Sequence, residues 1–311
     1  MNTWLITGGA GFIGANFIGY IFEKYPNDFI ICFDNLTYAG DINNFSKYMH
    51  SERFRFIKGD ICDFDDLNII FNRFDIDYVV NFAAETHVDR SIEYSIPFMK
   101  SNVEGVAALL EVCRHHNIKR FHQVSTDEVY GPTEISLDEN AKLNPTSSYA
   151  VSKASADLLC LSFHKTFKTP ITISRSTNNY GIMQHCEKFI PNMISKIARG
   201  EKPTIYGTGL NKRDWIHVLD HCSAIDLIIK QGNNGEIYNI SSGTSYTNLE
   251  VAEAVYKALG FEKNDVEFVE DRLAHDRCYN ISNKKIMQEL GWVPKYSFKK
   301  DLETIAKWYQ K

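Results

Sequence analysis

A glycine-rich turn near the N-terminus decides the fold. Residues 7–14 read Thr7-Gly8-Gly9-Ala10-Gly11-Phe12-Ile13-Gly14. This spacing contains both G-x-G-x-x-G and G-x-x-G-x-x-G, and it joins a short apolar run to an amphipathic segment. Such glycines allow a tight strand-to-helix turn and the close approach of a pyrophosphate, while the amides of the helix N-terminus face its oxygens. The turn therefore predicts a dinucleotide site formed by Gly8, Gly11, Phe12, Ile13 and Gly14.

The next apolar run ends in an acidic residue, Asp34, about twenty residues after the last glycine of the turn. A carboxylate at this position accepts hydrogen bonds from an adenosine ribose and repels a 2′-phosphate, so it favours NAD over NADP. A structural turn followed by a capping aspartate is the alternative. Asp60 follows the third predicted strand and would bind the adenine amino group, although a helix-capping role for Asp60 or Asp63 is nearly as plausible.

Short apolar runs alternate with amphipathic stretches along the first half of the chain. Apolar patterning predicts strands at residues 4–7, 29–33, 53–58, 78–84, 120–125 and 171–175. Helices are predicted between them at residues 12–25, 65–74, 103–116 and 149–167. Because this alternation is typical of parallel sheets with helices on both faces, the predicted class is α/β, with a Rossmann-type doubly wound parallel sheet.

The alternation weakens after residue 176. Helices are predicted at residues 189–199, 220–231 and 248–259, with a strand at residues 236–240 and a further segment at residues 204–209. We expect an NAD-binding Rossmann domain over residues 1–175, with later returns near residues 214–247 and in the C-terminal helix. Residues 176–311 are expected to form mainly a smaller C-terminal α/β substrate-binding lobe.

Composition and charge exclude several classes of protein. The 311 residues include 39 acidic and 34 basic side chains, and the net charge of −5 argues against binding to nucleic acid or to an anionic membrane. No apolar run approaches the roughly 18 residues of a membrane-spanning helix, and the N-terminus reads as a strand rather than a signal peptide. Seven scattered cysteines without a Cys-x-x-Cys pair argue against disulfides or a metal site and predict a cytoplasmic location.

Tyr149 and Lys153 stand at i and i+4 in a predicted helix, so they share one of its faces. A lysine ammonium near an oxidised, cationic cofactor stabilises tyrosinate, which lowers the pKa of the tyrosine toward working pH. The tyrosine then acts as a base for a substrate hydroxyl. A surface pair is the usual alternative for an isolated Tyr-x-x-x-Lys, but the glycine-rich turn upstream favours the catalytic interpretation.

Two adjacent carboxylates, Asp127 and Glu128, follow the strand predicted at residues 120–125. Burying such a pair is costly without a role, and a solvated loop with a helix cap is the alternative. One reaction uses every group. Tyr149 takes a sugar hydroxyl proton while hydride moves to NAD, Glu128 removes the acidified neighbouring proton, and Asp127 protonates the leaving hydroxyl. Water is eliminated, the hydride returns to the terminal carbon, and Thr126 hydrogen-bonds the developing oxyanion with Tyr149.

The glycine-rich turn and the Tyr149/Lys153 pair resemble, in this order, the two signatures of the extended short-chain dehydrogenase/reductase superfamily. Thr126-Asp127-Glu128 narrows the resemblance to nucleotide-sugar 4,6-dehydratases, most closely the dTDP-glucose 4,6-dehydratases. Other segments agree over essentially the whole chain, at residues 84–91, 178–181, 187–191, 209–215 and 272–277. The resemblance implies a hydro-lyase that converts dTDP-glucose to dTDP-4-keto-6-deoxyglucose by C4 oxidation, elimination of water across C5 and C6, and hydride return to C6.

The resemblance also assigns site residues. The family's catalytic roles fall on Thr126, Asp127, Glu128, Tyr149 and Lys153. Besides the glycine-rich turn, Asp34 and the Tyr/Lys pair, its cofactor contacts fall on Asn35, Thr37, Asp60, Ile61, Ala83, Ala84 and Asn178. Its nucleotide-sugar contacts fall on Thr86, His87, Asn179, Lys188, Pro191, Tyr206, Arg213, Asn248, Arg272 and His275. Such arginines can fork onto pyrophosphate oxygens, and Tyr206 can stack on a pyrimidine.

Several residues depart from the family's pattern. The common Gly-Pro-Tyr-Gln is Gly-Ile-Met-Gln at residues 181–184, Ala274 replaces a glycine, and Cys278 replaces an expected arginine. The connection from Gly131 to Tyr149 is also short. These departures leave the nucleotide base open, so a 4,6-dehydratase acting on another NDP-sugar such as UDP-glucose is an alternative.

Two other functions fit part of the pattern. A nucleotide-sugar 4-epimerase would use NAD, Tyr149 and Lys153 but would leave Asp127 and Glu128 idle. A non-catalytic NAD-binding sensor would tolerate loss of the Tyr/Lys pair. The resemblance further implies a homodimer that pairs the helices predicted at residues 103–116 and 149–167, the alternative being that both helices simply cover the sheet.

Overall fold

The elements of the protein come from a computed structural model that describes residues 1–262, 264–271 and 275–310. The strands are β1 (Thr3–Thr7), β2 (Phe29–Asp34), β3 (Phe54–Lys58), β4 (Tyr78–Asn81), β5 (Arg120–Thr126), β6 (Ile171–Ser176), β7 (Asn178–Tyr180), β8 (Thr204–Tyr206), β9 (Lys212–His217), β10 (Ile237–Ile240), β11 (Ser245–Thr247) and β12 (Glu267–Val269). The α-helices are α1 (Phe12–Lys24), α2 (Phe64–Arg73), α3 (Val88–Glu93), α4 (Ile96–Met99), α5 (Gly105–Cys113), α6 (Ser148–Phe167), α7 (Phe189–Ala198), α8 (Val218–Gln231), α9 (Asn248–Ala258), α10 (Lys284–Leu290) and α11 (Phe298–Tyr309). Short 3-10 helices span Ile42–Tyr48 and Asp127–Tyr130, and a π-helical turn spans Lys100–Glu104.

The largest sheet within the described residues has seven parallel strands in the order β10-β6-β5-β4-β1-β2-β3. From β3 to β6 this is the 3-2-1-4-5-6 order of doubly wound dinucleotide-binding folds. The predicted α/β, Rossmann-type class is therefore confirmed. One further strand, β10, joins the sheet from the second half of the chain, where the sequence predicts a strand at residues 236–240.

Both faces of this sheet are covered, which explains its nearly continuous apolar strands. Trp4 and Ile6 point to the face covered by α1 and α8. Leu5, between them, points to the face covered by α2, α5 and α6. The strands meet the helices on both sides, so the ends of the strands are where a ligand can reach the sheet.

A smaller lobe lies beside the sheet and has its own core. It contains a three-stranded sheet, β11-β9-β7, and the pair β12-β8. Its core includes side chains from α7, α9 and α11, such as Ile194, Val255 and Leu302. The segment over residues 214–247 divides between the two lobes. Strand β10 joins the large sheet and α8 packs on one of its faces, whereas β9 pairs with β7 and β11.

The last helix does not pack where the sequence places it. We expect the C-terminal helix to return to the cofactor domain, but α11 buries its apolar side with α7 and α9 in the smaller lobe. The helix before it, α10, contacts β10 and α8 and contributes Ile286 to the core of the large sheet. Across the ranges that the structure describes, none of the helices combines the length and apolar character that a membrane span requires.

Candidate active site

A cleft of about 480 Å³ opens at the carboxyl ends of the strands of the large sheet. Parallel α/β sheets bind their ligands at this edge. The five predicted catalytic residues line the cleft. The cleft also contains every predicted cofactor residue, namely Gly8, Gly11, Phe12, Ile13, Gly14, Asp34, Asn35, Thr37, Asp60, Ile61, Ala83, Ala84, Tyr149, Lys153 and Asn178. Residues that are far apart in sequence thus share one site, although their individual roles stay predictions.

The glycine-rich turn brings the start of α1 against the end of β4. Gly8 has a φ of +66°, and a Cβ atom there would lie 2.5 Å from the amide nitrogen of Ala83. Gly11 is the N-cap of α1 and makes no side-chain capping bond, so the first-turn amides are open to an anion. Backbone space and exposed amides at a helix N-terminus fit a dinucleotide pyrophosphate.

Asp34 links the end of β2 to the glycine-rich turn. Its Oδ2 accepts a hydrogen bond from the amide of Ala10 at 2.9 Å, and its Oδ1 accepts one from the amide of Leu36 at 2.7 Å. Burial raises the pKa of Asp34, and these two amide bonds oppose that shift. Each carboxylate oxygen can accept a second bond, so Asp34 fits the ribose hydroxyls of NAD.

Asp60 and Asp63 divide the roles that the sequence leaves open. Asp63 is the N-cap of α2 and accepts bonds from the amides of Asp65 and Asp66. Asp60 lines the cleft, where its Oδ2 accepts a bond from the Asn35 side chain at 3.0 Å. The helix cap therefore belongs to Asp63, and Asp60 stays at the adenine end of the predicted site.

The carboxylate pair follows β5 in a short 3-10 turn. The Thr126 hydroxyl accepts a bond from the amide of Glu128 at 3.3 Å and donates to Asp127 Oδ1 at 3.2 Å. Asp127 is only 3% exposed. Burial, together with the charge of Glu128, raises the pKa of Asp127 to about 8, although Arg213 opposes the shift. Asp127 is thus a protonated carboxyl at neutral pH, as a general acid requires.

Lys153 lies one turn after Tyr149 on α6, and Ser147 caps that helix through the amide of Ala150. The Nζ atom of Lys153 donates a hydrogen bond to the carbonyl oxygen of Val124 at 2.7 Å. Burial lowers the pKa of Lys153 to about 8, while the charge of Asp157 opposes that shift. Lys153 is therefore held against β5, close to the 3-10 turn that contains Asp127 and Glu128.

The protein's own groups do not lower the pKa of Tyr149. Burial and the charges of Glu128 and Asp127 raise the pKa of Tyr149, whereas a hydrogen bond with Thr126 lowers it. Exclusion of water and two nearby carboxyl groups disfavour tyrosinate in the protein alone. The predicted lowering of this pKa depends on an oxidised, cationic cofactor and stays a prediction. A lowered pKa requires a further positive charge in the cleft.

Three of the predicted nucleotide-sugar residues line the cleft: Thr86, Asn179 and Lys188. Lys188 Nζ donates to the carbonyl oxygen of Thr86 at 3.3 Å. Asn179 is buried, and its Oδ1 pairs with His221 Nδ1 at 2.9 Å. These contacts hold the Lys188 amine and the Asn179 amide in the cleft, where the charge of Glu128 acts on Lys188.

Among the described residues, the remaining predicted nucleotide-sugar contacts lie outside the cleft lining. His87 caps α3, and Pro191 is buried within α7. Those in the smaller lobe are Tyr206, Arg213, Asn248 and His275. Arg213 is buried and donates to the carbonyl oxygen of Asp276 at 2.8 Å, but its charge still reaches Asp127. Arg272 and Ala274 fall outside the described residues.

Several residues of the cleft are not among those predicted from the sequence. Ser176 and Thr177 line it directly after β6, and the end of that predicted strand was the available signal. Gln184 and His185 also line it, from the segment that departs from the family's pattern, and no local motif marks them. Cys278 is buried, and its Sγ lies 3.7 Å from the carbonyl oxygen of Tyr279.

The parallel seven-stranded sheet and the cleft with its Tyr/Lys pair define an extended short-chain dehydrogenase/reductase. More particularly, the chain belongs to the family described as GDP-mannose 4,6 dehydratase, whose model matches residues 5–305. The low-salt glycan biosynthesis protein Agl12 of Haloferax volcanii is 44% identical over 309 residues, which cover 98% of this chain and 97% of the relative.

Solved structures of similar proteins agree with this membership. A dTDP-glucose 4,6-dehydratase from Bacillus anthracis, in complex with NAD, is 43% identical with a TM-score of 0.93, over 100% of this chain and 97% of its own. A dTDP-glucose 4,6-dehydratase from Streptomyces venezuelae, with NAD bound, is 40% identical with a TM-score of 0.95, over 99% of this chain and 97% of its own. The resemblance read from the sequence is confirmed.

Proposed function

We propose that the protein is an NAD-dependent hydro-lyase that converts dTDP-glucose to dTDP-4-keto-6-deoxyglucose. Its family, and the dTDP-glucose 4,6-dehydratases among the similar solved structures, support this activity. One observation carries the proposal beyond the family: a buried carboxyl with a pKa of about 8, Asp127, stands between Thr126 and Glu128 in the cleft that contains Tyr149. A 4-epimerase, which only inverts the configuration at C4, needs no such acid.

The first half of the reaction oxidises C4. Tyr149 accepts the proton of the C4 hydroxyl as the C4–H bond breaks, and Thr126 donates a hydrogen bond to the carbonyl oxygen that forms. Lys153 contributes positive charge from the same face of α6. When bound, NAD supplies the acceptor for the C4 hydride, which it returns at C6, and a positive charge that offsets the raised pKa of Tyr149.

The second half eliminates water. The C4 carbonyl acidifies the proton at C5, and Glu128 removes it. Asp127 gives its proton to the C6 hydroxyl, which leaves as water and creates a C5–C6 double bond conjugated with the carbonyl. Glu128 then returns a proton to C5 when C6 is reduced. Each proton transfer contributes about 10²- to 10⁴-fold to the rate.

The nucleotide-sugar spans the cleft and the smaller lobe. Lys188, Thr86 and Asn179 bind it near the sugar, since they line the catalytic end of the cleft. The other predicted contacts bind the diphosphate and base. Pro191, Tyr206, Arg213, Asn248 and His275 do so from the smaller lobe, His87 does so from the start of α3, and Arg272 completes the predicted set. Residues 1–175, with α8, β10 and α10, form the domain whose cleft binds NAD, and most of residues 176–311 form the lobe that binds the nucleotide-sugar.

The enzyme acts as a homodimer that pairs α5 and α6 with their symmetry mates. Val151 and Leu158 lie two turns apart on one face of α6 and are 40% and 57% exposed. Ile96, the first residue of the short helix α4, and Tyr94 just before this helix are 58% and 63% exposed. An exposed apolar face of this kind suits a second copy of the chain. Glutamate at both Val151 and Leu158 should give a monomer by light scattering.

The enzyme works in the cytoplasm. All seven cysteines are unpaired, and four of those in the two large cores are fully or nearly fully buried, namely Cys32, Cys113, Cys160 and Cys222. Free thiols in this number are typical of a reducing compartment.

Product analysis tests the proposed activity. The protein is incubated separately with dTDP-, UDP-, CDP- and GDP-glucose, and products are followed by proton NMR. A new 6-methyl signal with dTDP-glucose is expected, whereas inversion at C4 without that signal would establish a 4-epimerase. Equal rates with UDP- and dTDP-glucose would overturn the choice of base, and full activity of Glu128→Gln would overturn its role at C5.

A further inference from the structure

A buried ion pair lies behind the catalytic residues of α6. Arg175, on β6, donates from Nε to Asp157 Oδ2 at 2.8 Å. Their side chains are 3% and 0% exposed. Buried ion pairs pay a desolvation cost that often cancels their attraction, so a pair in this position adds little stability over apolar side chains. Its value to the protein must lie in the groups that it connects.

Tyr130 connects the ion pair to the 3-10 turn that contains Asp127 and Glu128. Arg175 Nη1 donates to the hydroxyl of Tyr130 at 2.8 Å, and that hydroxyl donates to Asn239 Oδ1 on β10 at 2.9 Å. Tyr130 is the last residue of the turn that contains Asp127 and Glu128. The far end of the turn is thus fixed to the interior of the large sheet.

At its other end the ion pair reaches the Tyr/Lys helix. Asp157 follows Lys153 by four residues on α6, so the two share a face of the helix. Its charge opposes the lowering of the Lys153 pKa that burial causes. Its second oxygen, Oδ1, is buried and has no hydrogen-bond partner among the residues that the structure describes. Because Oδ1 makes no competing hydrogen bond, the negative charge of the Asp157 carboxylate remains available to stabilise the charged form of Lys153, one turn earlier in α6.

We infer that Asp157, Arg175 and Tyr130 form a positioning triad, which holds the Asp127–Glu128 turn at a fixed position relative to Tyr149 and Lys153. This inference rests on the proposed function. The triad divides between the two halves of the reaction. Its Tyr130 end fixes the groups that eliminate water, and its Asp157 end supports the groups that oxidise C4. Damage to each end should therefore slow a different bond-breaking step.

Deuterium isotope effects separate the two steps. Rates are measured with dTDP-glucose that carries deuterium at C4 or at C5. Tyr130→Phe removes one hydroxyl, and a displacement of the turn of about 1 Å should lower kcat by up to about a hundredfold with little change in KM. The isotope effect from C5 should increase in this variant, because elimination becomes rate-limiting, and the effect from C4 should not.

Asp157→Asn tests the other end of the triad. It should increase the isotope effect from C4 instead, and it should move the alkaline limb of the kcat profile to lower pH, since Lys153 loses the charge that opposes the fall of its pKa. Asp226→Asn is the matched control. Asp226 is a buried carboxylate, 1% exposed, that pairs with Lys24 at 2.6 Å on the opposite face of the sheet. This control should lose stability but keep both isotope effects.

The outcomes distinguish the two proposals. Wild-type turnover in the same assay establishes the activity independently of the triad. If the wild type turns over and Tyr130→Phe keeps its kcat and both isotope effects, the positioning triad is wrong. The same holds if both isotope effects change alike in the two variants, as in a general loss of structure. Should Asp157→Asn fail to fold, Tyr130→Phe decides alone.

Discussion

Gly14, in the first turn of α1, packs directly on the carbonyl group of Gly8. A Cβ atom on Gly14 would lie 2.4 Å from the carbonyl oxygen of Gly8 and 2.9 Å from the α-carbon of Gly9. Both neighbours are backbone, which cannot move aside without opening the turn. The third glycine of the motif is thus required by contact between the helix and the turn rather than by its own φ angle.

Gly14→Ala should push α1 away from the turn and lower NAD affinity by about a hundredfold, because the helix amides no longer meet the pyrophosphate. Calorimetric titration of NAD into the cofactor-stripped protein measures this effect. Gly19→Ala is the matched control in the same helix. Its Cβ would approach the Tyr48 hydroxyl at 3.0 Å, a side-chain tip that can shift. Similar NAD affinities in the two variants would refute the packing argument.

Asp34→Asn should weaken NAD binding by about ten- to hundredfold, since it loses charge-assisted hydrogen bonds to the ribose. It should also reduce the discrimination against NADP, because the repulsion of a 2′-phosphate disappears. Parallel titrations with NAD and NADP measure both effects. The ratio of the two affinities is the decisive quantity: an unchanged ratio would mean that Asp34 supports the glycine-rich turn through Ala10 and does not select the cofactor.

The catalytic rate should fall as pH rises through about 8. Burial sets the pKa of Asp127 and of Lys153 to about 8, from opposite directions. The proposed mechanism needs both protons, one as the acid for the C6 hydroxyl and one as positive charge beside Tyr149. Both are lost on the alkaline side. A kcat profile measured from pH 6 to 10 checks this expectation, and a rate that keeps rising beyond pH 9 would contradict it.

Local patterns predict the parts of the site that are close together in the chain. The glycine-rich turn, Asp34 and the Tyr149/Lys153 pair depend on spacing along a strand or helix, and the cleft contains all of them. The protonation state of Asp127, by contrast, could not be predicted from spacing along the chain. The raised pKa of Asp127 depends on burial, and Arg213 from the smaller lobe opposes the shift; no local pattern records either influence. The packing of α11 on α7 and α9 has the same origin, because an amphipathic helix does not specify its partner.

The partners of Arg175 show this limit most clearly. Its two side-chain contacts, Asp157 and Tyr130, lie 18 and 45 positions away in the chain. Nothing in the local sequence distinguishes these residues from other core polar groups. Only the pairing of β5 with β6 and the packing of α6 on β6 bring them together. The proposed catalytic groups could thus be predicted from sequence, whereas the groups proposed to position them could not.

Asp127→Asn should stabilise the fold while it abolishes dehydration. The folded-state pKa of Asp127, about 8, lies above the ordinary value of 3.8. Between these values the folded protein keeps a proton that the unfolded chain has lost, so wild-type stability falls as pH rises. The variant lacks this term, and its advantage should therefore grow from pH 5 to pH 8 by at least about 1 kcal/mol. Urea unfolding at the two pH values measures the difference. Asp138→Asn, the same change at an exposed carboxylate, should show no such growth. Parallel stability curves for wild type and Asp127→Asn would mean that Asp127 is ionised in the folded state, and the role of general acid would then have to pass to another group.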